Sequence, residues 1–340
     1  MNSINKYQTI IIGLAVLFGL LIGQNASIGN YAEYFIVPFL MIMLFGLFLN
    51  IPIKDLFKSF SNLKFFSANV GINFIWTPLF AYSLGYLFLQ NELSIWIGFV
   101  MLMVTPCTDW YLIFTGTAKG NTPLSASVLP LNLILQVILI PIYLLLFFGK
   151  TGTIDSGVLF ESIVLVLIIP FALAQIIRFI SKQLTKDNFI EKRISPVFDK
   201  SQVIFLGLAI LAMFASQGAY LTNNLEIVLL LLIPLLLFFT VNFFIGRGVS
   251  SLLKFNYEDS VSLNLTTLAR NSPISLAIAI TAFPNDPLVA LALVIGPLIE
   301  LPILALVSQI LLKIRKSKLI EEKSTNAQQR TEVKKNSFLH

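Results

Sequence analysis

Thr117-Ala118-Lys119-Gly120-Asn121-Thr122-Pro123-Leu124 returns 164 residues later as Thr281-Ala282-Phe283-Pro284-Asn285-Asp286-Pro287-Leu288, with Thr, Ala, Asn, Pro and Leu unchanged. Carried back along the chain, the same offset sets Thr105-Pro106-Cys107-Thr108-Asp109 against Ala269-Arg270-Asn271-Ser272-Pro273, and Gln136 against Glu300. Both five-residue segments are polar, contain proline and interrupt a long apolar stretch. Corresponding interruptions in two copies of a repeat point to a site near the middle of a membrane, because a broken helix frees backbone groups that lipid cannot satisfy.

The rest of the chain agrees with a membrane setting. It is 56% hydrophobic and only 12% charged, with a mean hydropathy of +0.86, a composition for lipid rather than for soluble domains. Apolar stretches long enough to span a bilayer fall at roughly 8–24, 33–52, 65–89, 94–119, 122–149, 157–181, 201–221, 226–250, 261–283 and 286–312. The first has one basic residue ahead of it, Lys6, and no small-residue cleavage site after it, so it reads as a retained helix rather than a signal peptide. All but Lys150 and Arg270 of the 23 Lys and Arg residues fall on one side if the N-terminus is inside, which predicts both termini in the cytoplasm and a cell-membrane location.

The expected fold is therefore an all-α membrane protein of ten transmembrane helices, arranged as two inverted five-helix repeats with broken, crossing helices in spans four and nine. Residues 1–180 hold the first five spans and a sixth that begins near 157 and opens the second repeat; 181–200 form a cytoplasmic loop; 201–313 complete the second repeat; and 314–340 read as a disordered tail. The amphipathic stretch at 53–60 reads as an inner surface helix. The net charge of +6 lies in loops and tail rather than on a basic fold, so no nucleic-acid partner is expected.

Enzyme classes have little material. The one Cys is Cys107, the one His is His340, and there is no Gly-x-Ser-x-Gly elbow; no cofactor is expected, and the partners are a small solute and membrane lipid. Asp109, Arg270 and Glu300 are the ionisable residues placed deepest in lipid, where each needs a partner or a task. Asp109 and Arg270 either pair with each other or contact the solute. Glu300, in Gly296-Pro297-Leu298-Ile299-Glu300-Leu301-Pro302, has no sequence neighbour of opposite sign and reads as a proton carrier. Cys107 lies at a helix interruption, and a lone thiol there suits a soft, thiophilic solute better than a hard cation. Asn132 and Gln136 share one helix face, and Thr108, Asn271 and Ser272 flank the interruptions. With Cys107 as a transient metalloid ligand, these make the candidate substrate site.

Val104-Thr-Pro-Cys-Thr-Asp-Trp, the Leu-Ala-Ile-Ala run at 276–279, and Gly-Pro-Leu-Ile-Glu-Leu-Pro at 296–302 resemble the arsenite efflux permeases of the bile acid/sodium symporter superfamily. The likeness covers nearly all ten spans. It implies a panel and a core domain, two crossed broken helices in the core, and proton-linked export of trivalent arsenic or antimony hydroxides, with Cys107 and Glu300 matching the family's functional Cys and Glu. The chain departs from those permeases at Ser275, where they carry an acidic residue. Aligned on Ala118-Lys119-Gly120, the sodium-coupled branch would need oxygen ligands where this chain has Tyr111 and Leu112. The alternative is a carrier of a small organic anion, with or without sodium, in which Arg270 holds the anionic group.

Overall fold

The computed structural model describes residues 8–49, 62–108, 110–152, 155–184, 194–223 and 225–337. The stretch at 53–60, Asp109 and loop residues 185–193 lie outside the described residues. The described chain is helical, with no strand. Helices α1 (Gln8–Ile22) and α2 (Ala26–Leu49) come first. Then α3 (Leu63–Gly71) and α4 (Thr77–Phe88) form one rod through a π turn, Ile72–Trp76. Helices α5 (Leu93–Met103) and α6 (Trp110–Thr117) are separated by a non-helical segment, and α7 (Thr122–Ser127) leads into α8 (Leu129–Phe148). Helices α9 (Ser156–Ile163) and α10 (Ile169–Leu184) are joined by a second π turn, Val164–Ile168. Helices α11 (Ser195–Asn223) and α12 (Leu225–Leu252) follow; α13 (Tyr257–Leu268) and α14 (Ser272–Ala282) flank a second break; and α15 covers Pro287–Ser337.

Among the described residues, five stretches are long and apolar enough to cross a membrane: Tyr31–Leu49, Thr122–Thr151, Ser156–Ser181, Leu229–Leu252 and Pro287–Lys316. Breaks leave other apolar helices shorter, among them Leu93–Met103 and Ser272–Ala282. Where composition predicts a disordered tail from 314, α15 continues to Ser337; its Glu, Lys, Gln and Arg residues favour helix even without an apolar stripe.

Prolines account for both π turns. Pro78 and Pro170 have no N–H for the carbonyl four residues back, and their rings crowd the preceding turn. In each case the chain widens just before the proline: Thr77 N–H bonds Ile72 O, and Ile169 N–H bonds Val164 O. The carbonyl that Pro78 leaves without a partner is Phe74 O, and the Tyr143 hydroxyl of α8 donates to it at 2.7 Å. A hydroxyl from a neighbouring helix thus replaces the missing backbone donor.

Packing divides the helices into two groups. Helix α11 lies along α1 and α2, with α10 against α2. The other group is built on α5 against α15, α12 against α13, and α14 against α15. The α5–α15 pair is close because glycines face it from both sides: a Cβ on Gly98 would fall on Val289 O, and one on Gly296 on the Leu102 side chain. The groups meet where α14 touches α2 and α9, and α15 touches α11.

Tyr143→Phe keeps the ring but leaves the buried Phe74 carbonyl without a donor. It should lower unfolding stability by about 1–2 kcal/mol, read as a lower melting temperature of the detergent-solubilised protein; an unchanged melting temperature would show the bond to be dispensable.

Candidate functional site

Two helix ends meet head-on in the interior. Met103 ends α5 and Leu268 ends α13, and the short segments that follow meet in an isolated antiparallel bridge. Pro106 bridges Arg270, Cys107 N–H donates to Ala269 O at 2.9 Å, and Asn271 N–H donates to Thr105 O at 2.7 Å. The central pair, Pro106 and Arg270, is separated by the offset of 164 seen in the sequence, and the flanking bonds, 107 to 269 and 271 to 105, are related by a local two-fold through that pair. The reciprocal bonds satisfy backbone groups that a break in an apolar interior would otherwise orphan.

Arg270 is buried, 2% exposed, and its guanidinium completes the two helix ends. Nη1 donates to Met103 O at 2.8 Å and Nε to Leu268 O at 3.1 Å; Nη2 donates to Thr267 O and, at 3.0 Å, to Asn73 Oδ1. All three carbonyls are helix-terminal, so one cation both satisfies orphan acceptors and sits where two helix dipoles are negative. Phe238 lies beneath it, 5.3 Å from guanidinium carbon to ring centroid.

Glu300 meets Arg270 through the backbone. Its Oε1 accepts the Arg270 N–H at 2.8 Å, and the side chain is 3% exposed between Pro297 and Pro302 of α15. Pro297 withholds a donor from Leu293 O, and the Ser272 hydroxyl donates to that carbonyl instead. Asn271 caps α14, its side chain accepting from Ile274 N–H at 3.3 Å and donating to the Thr108 hydroxyl at 3.2 Å. Cys107 is buried at the crossing, its backbone held by Ala269.

Arg270, Ser272 and Glu300 line a narrow cleft of about 20 Å³ between the two groups of helices, faced by Trp110 and, from α11, by Leu206 and Ile210. Asn132 and Gln136 stand elsewhere, on α8, tied to the crossing by amides: Asn73 Nδ2 donates to Asn69 Oδ1 at 3.0 Å, and Asn69 Nδ2 to Asn132 Oδ1 at 2.7 Å. The ladder starts at Arg270 and ends at buried polar atoms without partners among the described residues, Asn132 Nδ2 and both ends of the Gln136 amide.

Of the residues expected from sequence, the structure thus gathers Cys107, Thr108, Arg270, Asn271, Ser272 and Glu300 at the crossing and attaches Asn132 through the ladder, with Gln136 one turn beyond. Sequence reasoning passed over Asn69 and Asn73, although their spacing of four on one helical face of an apolar stretch is the signal that marked Asn132 and Gln136. It also passed over Thr105, whose hydroxyl lies 2.8 Å from that of Ser275. Ser275 further donates to Met101 O at 2.9 Å, so it serves the end of α5.

The model of the Sodium Bile acid symporter family matches residues 37–224. Similar proteins include the arsenical-resistance protein Acr3 of Corynebacterium glutamicum, 24% identical over 89% of this chain and 87% of its own length. The Acr3 of Alkaliphilus metalliredigens is 23% identical over 88% and 89%. An uncharacterized sodium-dependent transporter of Bacillus subtilis, YocS, is 25% identical over 79% and 80%.

Arg270→Gln removes the donors of three buried helix-terminal carbonyls and should cost on the order of 3 kcal/mol. Glu300→Gln keeps an acceptor for the Arg270 amide and should stay within about 1 kcal/mol of the parent protein. Denaturant or SDS titration of the purified proteins checks the ranking, and equal losses would contradict it.

Proposed function

The chain belongs to the Sodium Bile acid symporter family, and from that membership we propose that it is a secondary transporter exporting neutral trivalent metalloid hydroxides, arsenite or antimonite, in exchange for protons. In this reading ten spans form two inverted repeats, with both termini in the cytoplasm of the cell whose membrane holds it. The register of the Pro106–Arg270 bridge at the sequence offset supports the repeat, and the two packing groups correspond to panel and core, with the cleft between them.

The observation that carries the proposal is the address of Cys107: a single thiol, buried at a backbone crossing, within the same constellation as a buried carboxyl that faces the cleft. The thiol displaces one hydroxyl from the solute, Cys–SH + As(OH)3 giving Cys–S–As(OH)2 + H2O, and water reverses the step on the other side. One sulfur suits turnover, whereas three would hold a soft metalloid too long. Glu300 exchanges the proton, since its carboxyl reaches both the cleft and the Arg270 amide and so links protonation to the crossing. The free amide ends of Asn132 and Gln136 offer hydrogen bonds to the solute's remaining hydroxyls. The organic-anion reading asks Arg270 to donate to the solute; its guanidinium already donates to three carbonyls and Asn73, which favours the neutral solute.

Cells lacking their own exporters should accumulate less arsenite and antimonite when they express this chain, and Cys107→Ala should abolish the difference at equal expression. In everted vesicles a pH gradient should drive uptake that Glu300→Gln stops while the protein still folds. Metalloid movement independent of Cys107 overturns the thiol step; movement driven by a sodium gradient alone overturns the proton reading.

A further inference from the structure

A second cleft lies away from the crossing, where α12 ends, α13 begins and α15 passes at Ile314. It offers about 200 Å³, and its lining is polar and basic. Arg247 and Lys254 both face it, and among the described residues neither is paired with a carboxylate. The acidic side chains nearby are engaged elsewhere: Glu258 holds Arg315 at 3.2 Å, and Asp259 accepts from Asn121 at 2.8 Å. Arg247 Nη1 donates to the Ser260 hydroxyl at 3.1 Å. Ser260 is 5% exposed and lines the cleft, yet its own hydroxyl proton has no acceptor among the described residues. Ser251 adds a second hydroxyl, and Asn256 and Tyr257 bring the first turn of α13 to the wall.

Two cations without a carboxylate partner among the described residues and a buried hydroxyl proton left to donate form a donor set that suits an anion with several acceptor oxygens. We propose that this cleft binds a phosphate group, and that the surrounding surface selects the phosphate of an anionic phospholipid. Phe244 and Leu252 of α12 are 65% and 81% exposed, so the helix that carries Arg247 also presents apolar surface. A head group seated on Arg247 and Lys254 leaves its acyl chains to the surrounding lipid. Basic pockets between helix ends at the charged side of a membrane protein recognise lipid phosphates in this way, and guanidinium fits the phosphate oxygens in a fork. The occupant also bears on the transport core: the Tyr257 hydroxyl, at the wall of the cleft, donates to Ala118 O at the end of α6 and to Leu311 O of α15, both at 2.9 Å.

The test uses the full-length protein, delipidated in detergent, and follows its melting temperature. One arm titrates phosphatidylglycerol in mixed micelles against diacylglycerol, which has no phosphate; the other titrates inorganic phosphate against chloride at equal ionic strength. A saturable rise with phosphatidylglycerol, absent with diacylglycerol, is expected. Its midpoint should move by on the order of tenfold or more in Arg247→Gln/Lys254→Gln. Ser251→Glu, which places a carboxylate in the cleft at an exposed position without touching the interior, should abolish the response, and Lys150→Gln at the opposite end of the bundle should not. Saturation by free phosphate alone keeps the phosphate site and overturns the lipid as its source. No saturable response in either arm, or a response unchanged in Ser251→Glu, overturns the site.

Discussion

The structure turns on backbone that has no water to bond. Two helices stop in the apolar interior, and each leaves carbonyls at its end and amides at the start of the next. The solution is local and reciprocal. Two antiparallel bonds tie the breaks to each other, and one buried guanidinium collects the helix-terminal carbonyls of Met103, Thr267 and Leu268. An unpaired cation at this depth would be costly; here it replaces the water that would otherwise have capped two helices. Arg270 is therefore first a positioning residue, and whatever the site does with solute is done on a frame that it holds.

The same constraint explains side chains that would otherwise look unrelated. Pro78 strips a donor from Phe74 O and Tyr143 supplies one; Pro297 strips a donor from Leu293 O and Ser272 supplies one. Prolines create freedom at chosen turns, and hydroxyls on adjacent helices close it again. The second of these substitutions places Ser272 on the wall of the cleft beside Glu300, so the repair of a helix and the lining of the site are one interaction.

Much of this was legible beforehand, and the part that was not has a physical reason. The offset of 164 comes from a turn motif, yet it pairs the residues that bridge in the interior, because a local two-fold relates equal positions in two copies. The breaks were legible from proline beside polar residues in apolar surroundings. The carbonyl partners of Arg270 were not: a cation in lipid suggests an acid, and sequence offers Asp109, which lies outside the described residues, and Glu300, which meets the Arg270 N–H, whereas among the described residues the guanidinium goes to backbone carbonyls that no residue type announces and to Asn73. Asn69 and Asn73 escaped for the opposite reason. Single amides in an apolar stretch read as ordinary interhelical contacts, and only the chain of bonds from Arg270 to Asn132 makes them a path.

The two halves of the crossing are alike in backbone and unlike in chemistry, and the difference bears on where a solute is held. In the second half, position 270 has an N–H and Glu300 accepts it. In the first half, the corresponding position is Pro106, which has no N–H, and the counterpart of Glu300 is Gln136, whose amide is buried with both ends unpartnered. One hydrogen-bond site is thus filled, and its counterpart at the sequence offset is without a partner among the described residues. That counterpart belongs to the half that carries Cys107. A buried amide that finds no partner among the described residues is costly; under the proposed export, a neutral hydroxide solute would bring both donors and acceptors to it without a charge that the interior would have to compensate. In that proposal it is the asymmetry between the two segments, rather than any single residue, that suits the thiol side of the crossing to a guest.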